Sequence, residues 1–405
     1  MTARRLHVWF ALSAALAGCE GVAPAAPDGA PDVTLDATRD ATVDAAPDGG
    51  APVDADDDDR IVVPDDVAPA GDPRAFDVRQ RGPFNTGHRV FMHTYTPRGS
   101  ATPRTIPVHV WYPTRAIRGP HPTYERFFTD TEAIEGAPPA PPAHPLGYPV
   151  HVYSHGHRGF AGTSHFLMAY FATHGWVSVA PDHVGNTLLN SPDPRPFPIY
   201  HLRSQDVRAA TDMLAALPAS DPLGGRCDTR RVVLSGHSFG AHTVWSTAGA
   251  TFDVAAVTPM CTPRVSCSEA DVAVFREGLG DPRVVAAIPM AGSISRDLFG
   301  ATGHASVRIP LLAMSGTDDP VGADAQFMTT APVDLTWIEV RGGCHQYFAL
   351  GGCPMIADSF QPLIVGAWAV AFARRHVLND DDPTVRGVLD GTISLSDRVT
   401  LHRRP

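Results

Sequence analysis

Lysine is absent from all 405 residues. A chain without a primary side-chain amine forms no Schiff base with a carbonyl compound and uses no Ser–Lys pair. The 32 basic side chains are therefore all arginine, and no cluster of them makes the footprint of a nucleic-acid binder. Long apolar runs are missing as well. Val8 to Leu16 is too short to span a bilayer, and no other stretch qualifies. Cysteine is sparse, with six in the chain. His155 and His157 stand close together, but no third ligand sits at a convincing spacing, so no metal is expected.

Aromatic residues are absent from residues 20–72. That stretch is made of Ala, Pro, Asp, Gly, Val and Thr, with 15 acidic and two basic residues. Asp28, Asp32, Asp36, Asp40, Asp44 and Asp48 recur every fourth residue. Like charges at that spacing, with Pro and Gly between them, argue against a helix and for an extended, disordered tether. Asp56 to Asp59 read as a solvated charge run in preference to a calcium site. The whole chain carries −11 while this tether alone carries −13, so the acidity belongs to the tether and does not argue for a cationic substrate.

Ahead of the tether, Arg4 and Arg5 form a basic region, Val8 to Leu16 an apolar one, and Leu16-Ala17-Gly18-Cys19 looks like a bacterial lipobox. Residues 1–18 are then a signal peptide. Cleavage before Cys19 and its acylation would anchor the chain to the membrane of the cell envelope, on the periplasmic or surface side. An ordinary secretory signal with a chance cysteine is the alternative.

Residues 73–405 are long enough for one large α/β domain with insertions. His88 to Thr96 and Thr105 to Tyr112 read as an opening antiparallel pair. Strands and helices then alternate: a helix at Phe166 to His174, a strand at Trp176 to Ala180, a helix at Asp206 to Leu217, a strand at Val284 to Met290, and a helix near Pro362 to Arg375. Alternation of this kind predicts a mostly parallel central sheet flanked by helices.

The most informative stretch is Gly236-His237-Ser238-Phe239-Gly240, a G-x-S-x-G pentapeptide. Arg231 to Ser235 before it read as a buried strand, and Ala241 to Trp245 after it as a helix. Strand, tight turn and helix in that order make a nucleophile elbow, which lifts the serine hydroxyl clear of the sheet. A buried structural serine in a tight turn is the bland alternative.

A serine nucleophile needs a base, and the base an orienting acid. The apolar run Ile309 to Met314 leads into Ser315-Gly316-Thr317-Asp318-Asp319-Pro320. The strand-like Leu335 to Val340 leads into Arg341-Gly342-Gly343-Cys344-His345. Candidate nucleophile, acid and base therefore leave three strands at the same sheet edge, where sites of open α/β sheets lie. Asp319 is favoured as the acid over its neighbour Asp318, with Asp297 a distant third. The oxyanion donors expected are the backbone N–H of Phe239 and that of His157, on the loop after the strand Pro149 to Tyr153.

The chain resembles the bacterial predicted dienelactone hydrolases that sit beside the plasma-type platelet-activating-factor acetylhydrolases in the α/β-hydrolase superfamily. The likeness is carried by Gly82-Pro83-Phe84 through Gly87-His88-Arg89, Ile106 to Pro113, Tyr153-Ser154-His155-Gly156-His157, His174-Gly175-Trp176, Ala180 to Asn186, the elbow, Asp281 to Val284, Gly316 to Val321 and the His345 loop. It implies a Ser–His–Asp esterase of small or lipid-like esters, with no metal or organic cofactor. It places Ser238, Asp319 and His345 in the triad, and His157 and Phe239 in the oxyanion hole. Gly343-Cys344-His345 departs from the pattern, where a small residue usually precedes the histidine, and it suggests a nearby disulfide.

Cys344 with Cys353, and Cys261 with Cys267, are the pairings expected, leaving Cys227 unpaired, although five cysteines allow other arrangements. Two stretches look like pocket-shaping insertions, Thr187 to Tyr200 and Phe252 to Gly280. Each is either a lid or a fixed surface loop. Phe160, Phe197, Tyr200, Tyr347 and Phe348 are candidates to line an aromatic groove, or plain core. A groove would favour a polyester or cutin-type substrate. A catalytically silent surface-binding lipoprotein is the remaining alternative, and the intact triad order argues against it. Oligomeric state is not legible.

Overall fold

The computed structural model describes residues 60–64, 72–321 and 324–404. The signal peptide, Cys19 and most of the expected tether lie outside the described residues.

Ten strands form one sheet. They are β1 (Asn85–Tyr95), β2 (Arg104–Thr114), β3 (Ala133–Glu135), β4 (Tyr148–Ser154), β5 (Val177–Pro181), β6 (Cys227–His237), β7 (Val284–Met290), β8 (Leu311–Gly316), β9 (Leu335–Val340) and β10 (Val399–Arg403). Their spatial order is β10-β9-β8-β7-β6-β4-β5-β2-β1-β3. The six from β5 to β9 run parallel. β1 and β2 pair antiparallel as the sequence predicts, from Asn85 opposite Thr114 to Tyr95 opposite Arg104. β2 against β5 and β10 against β9 are also antiparallel.

The sheet is covered on both faces, so its central strands are buried throughout rather than alternating. The helices that matter here are α1 (His165–Thr173), α2 (Ile199–Ala215), α3 (Phe239–Thr247), α4 (Val254–Met260), α5 (Glu269–Glu277) and α6 (Ala367–Val377). Tyr153, Val233, Ile288, Met314 and Ile338 turn to one face, against Phe171 of α1 and Trp368 and Phe372 of α6. Val152, Leu234, Ala287 and Leu311 turn to the other, against Val207 and Met213 of α2 and Val244 and Trp245 of α3. Successive residues thus feed opposite cores, as the period of two requires.

Three boundaries differ from the sequence expectation. α2 begins at Ile199, not Asp206. Its first turns hold Arg203, Ser204, Gln205 and Asp206, a polar run that reads as a helix edge but is buried and hydrogen-bonded. The helix expected over Pro362 to Arg375 opens with a π turn, Pro362–Gly366, before α6. At the other end, residues 60–64 of the expected tether touch the domain. Val62 donates to the Arg118 carbonyl at 2.9 Å and accepts from Ile117 at 2.9 Å, and Ile61 packs on Ala116, Ile134 and Ala137.

Much of the polar interior is histidine. Burial pushes His151, His237 and His242 down to about 3, and His174 and His183 down to about 4. Each ring is neutral in the fold and takes a proton in the unfolded chain below its ordinary value of 6.5. The unfolded state therefore binds more protons between about pH 4 and 6.5, so stability falls as pH drops through that window. Each such ring contributes up to about 1.4 kcal/mol per pH unit. The thermal midpoint should fall steeply from pH 6.5 to 5, measured by scanning calorimetry. A midpoint flat across that range would contradict neutral burial of these rings.

Candidate active site

Ser238 follows β6 and caps α3 with φ 57° and ψ −117°. A non-glycine residue at such a φ costs about 1–3 kcal/mol, which the surroundings must hold in place. Its backbone N–H donates to the Met290 carbonyl at 2.9 Å, and its own carbonyl accepts from Ala241 at 2.9 Å. The flanking glycines are required sterically. A Cβ on Gly240 would stand 2.0 Å from the Ser154 carbonyl oxygen, and one on Gly236 would stand 2.5 Å from that of Gly240.

The loops after β8 and β9 meet in the same way. A Cβ on Gly316 would stand 1.9 Å from the Gly343 oxygen. That approach sets Asp319 against His345. Nδ1 of His345 lies 3.2 Å from both Asp319 oxygens, and the Asp319 side chain is fully buried. One of those oxygens also accepts from the Val321 N–H at 3.1 Å. Asp318 turns away. It is exposed and accepts from the Thr317 hydroxyl at 2.9 Å. Asp297 is exposed in a short turn, Arg296–Phe299, after β7.

His237, the residue before Ser238, ties the histidine loop to the elbow. Its Nε2 lies 2.9 Å from the His345 carbonyl oxygen, and the two rings stand 4.7 Å apart. A neutral His237 donates from Nε2 to that carbonyl. Cys344 and Cys353 form a disulfide that closes the segment after His345, and Cys261 pairs with Cys267. Cys227 is free. All three findings match the expected arrangement.

On the opposite side of the elbow lies the loop after β4. His155 donates from Nδ1 to the Gly156 carbonyl at 2.7 Å and accepts at Nε2 from the His183 N–H at 3.0 Å. His157 is half-buried, its Nδ1 2.6 Å from Asn186 Nδ2, and its ring 6.4 Å from that of Phe239. The two histidines therefore have separate partners. Among the described residues, no group of three or more His, Cys, Asp or Glu side chains is arranged to hold a metal.

A charged network under this loop escapes sequence reasoning. Arg203 is fully buried and donates to Asn186, Ser154, Thr243 and the His155 carbonyl. One turn along α2, Asp206 is gripped by Arg104 at 2.7 and 2.9 Å, by Tyr95 at 2.6 Å and by His183 at 2.9 Å. Burial alone would raise the Asp206 carboxyl, but Arg104 and His183 hold it well below the usual range. The signal available was Arg203 and Asp206 three residues apart on one helix face.

The two insertions dock on each other beside the elbow. Phe197 donates to the Val265 carbonyl at 2.8 Å and its ring meets Phe275 at 5.6 Å. Arg195 lies 5.0 Å from the ring centres of both Tyr200 and Phe239. Phe160, Phe197, Tyr347 and Phe348 are buried, so these four serve as core and do not line an open groove.

No family model and no curated protein matches the chain. A solved structure of a ferulic acid esterase from Streptomyces cinnamoneus is similar, with a TM-score of 0.56 and 20% sequence identity. The match covers 79% of this chain and 97% of that one. At that identity the likeness speaks for the fold, and the strand order and two-sided helix cover agree with it: this chain has the α/β-hydrolase fold.

Proposed function

We propose that the chain is a serine hydrolase of carboxylic esters. The observation that carries this reading is Ser238 at a positive φ on a strand-to-helix turn, with the Asp319–His345 pair bound beside it through His237. In this reading His345 takes the Ser238 proton as the hydroxyl attacks the ester carbonyl. Asp319 holds the ring in the tautomer that leaves Nε2 free to accept, and stabilises the imidazolium. Backbone N–H groups of Phe239 and His157 hold the oxyanion. The proton on His345 passes to the departing alcohol. His345 then activates water, which releases the acid and restores Ser238.

The similar structure is that of a ferulic acid esterase, which supports ester cleavage at the level of reaction class. Small or lipid-like acyl esters remain the proposed substrates. The buried positions of Phe160, Phe197, Tyr347 and Phe348 remove residues on which a polyester groove would have rested. Acylation of Cys19, anchoring to the cell-envelope membrane and a tether through residues 19–72 complete the proposal, on the strength of the lipobox and the tether composition.

Hydrolysis of p-nitrophenyl esters from acetate to palmitate tests the reaction. Turnover should fall about 10⁴-fold or more in Ser238→Ala. Equal turnover in the variant would remove Ser238 from the mechanism. The acid is tested by a pair of variants. Asp319→Asn should lose about 10³- to 10⁴-fold in kcat by stabilising the wrong tautomer. Asp318→Asn should stay within a few-fold of the parent, since its carboxylate is exposed and, among the described residues, bonded to Thr317 alone. The opposite ranking would transfer the role to Asp318.

A further inference from the structure

Three side chains connect α2 to the loop of His157, and their donor and acceptor types leave one arrangement. Arg203 and Asn186 are fully buried. The Arg203 guanidinium donates to Asn186 Oδ1 at 2.7 Å, to Ser154 Oγ at 3.1 Å, to Thr243 Oγ1 at 3.1 Å and to the His155 carbonyl. Arginine has donors only, so it fixes the Asn186 amide with its oxygen inward. The amide nitrogen is then the atom 2.6 Å from His157 Nδ1. That nitrogen can only donate, so Nδ1 accepts and carries no proton. A neutral His157 ring therefore holds its proton on Nε2, which has no partner among the described residues.

The ring stays neutral at physiological pH. Burial is the first cause, and the charges of Arg195, Arg158 and Arg203 add to it, pushing His157 down to about 4. Those cations come from the insertion, from the loop itself and from α2, and the element across from the ring presents the uncharged Phe239. Phe239 follows Ser238 directly.

We infer that His157 contacts the bound ester through its side chain as well as its backbone, as a neutral Nε2–H donor oriented by the positioning residues Asn186 and Arg203. The inference rests on the serine-hydrolase reading of Ser238. The proton is shared with a substrate oxygen and is not transferred, so the ring changes neither charge nor tautomer through the cycle. A donor of this kind accelerates the reaction only to the extent that its bond strengthens as the oxygen gains charge.

The test uses the full chain, with a fluorophosphonate as the first probe. No labelling of Ser238 would overturn the serine-hydrolase reading and this inference with it. With labelling established, His157→Phe keeps the backbone N–H and a planar aromatic ring but removes the donor. Its kcat for p-nitrophenyl acetate should fall about tenfold to a hundredfold, with His157→Gln recovering part of the loss. A His157→Phe enzyme as fast as the parent would overturn the inference alone. The orientation is read separately by ¹⁵N NMR of the imidazoles, with the His157 signals assigned by their loss in His157→Gln. The parent should show an Nε2–H tautomer at pH 7, and a cationic or Nδ1–H ring there would overturn the inference. Asn186→Asp offers Nδ1 an acceptor in place of a donor. It should move the proton to Nδ1 or charge the ring, and add an ionisation between about pH 5 and 8 to the kcat profile. An unchanged tautomer and profile in Asn186→Asp would count against the positioning role.

Discussion

Backbone approach closer than any side chain permits is the constraint on which this site depends. Gly240 lies against the Ser154 carbonyl, Gly316 against that of Gly343, and a Cβ on Gly292 would stand 2.2 Å from that of Ala241. Gly240 opens α3 against the end of β4, Gly316 ends β8 against the loop leaving β9, and Gly292 lies past β7 against α3. With those glycines in place, the turn at Ser238 reaches φ 57° while its N–H and carbonyl are both bonded. The same closeness brings the loop of β8 to that of β9, so that Asp319 meets His345. The strain at one residue is held by a rigid set of strand ends, which is how a fold keeps a group poised away from its relaxed conformation.

The interior around these strand ends is polar but carefully neutralised. Histidines such as His151, between Ser178 and Ser235, and His237, on the His345 carbonyl, serve as uncharged hydrogen-bonding groups under the sheet edge. Fixed charge is left to arginine and aspartate. Burial brings Arg203 down to about 9, so it still carries its proton at neutral pH, with its fork filled by four partners from three segments. A lysine there would offer a single nitrogen and a flexible stem, which suits that convergence poorly. The absence of lysine from the chain and the reliance on arginine inside it are consistent.

The sheet and the elbow were legible because their signals are local. β7 is an uninterrupted apolar run and β8 opens with one, Leu311 to Met314, and Gly236 to Gly240 states the turn in five letters. The choice of Asp319 over Asp318 needed triad logic, and it is the buried one of the two that faces His345. Other features were not local. Arg203 to Asp206 look like a polar helix edge because a one-dimensional pattern cannot show partners lying on β2, β4 and α3. Asn186 stood within a recognised run, Ala180 to Asn186, but its role depends on Arg203 being 2.7 Å away. Phe160 and Phe348 read equally as groove or core until their neighbours are known, and Ile61 and Val62 read as tether because their partners lie more than fifty residues along the chain.

Formation of an acyl-enzyme on Ser238 is tested by trapping. Rapid acid quench of the enzyme during turnover of a slow aryl ester, followed by peptide mass mapping, reads which residue carries the acyl group. The acyl mass is expected on the peptide containing Ser238, formed and lost at rates no slower than turnover. Steady turnover with no acylated peptide, or with the acyl group on another residue, would contradict it.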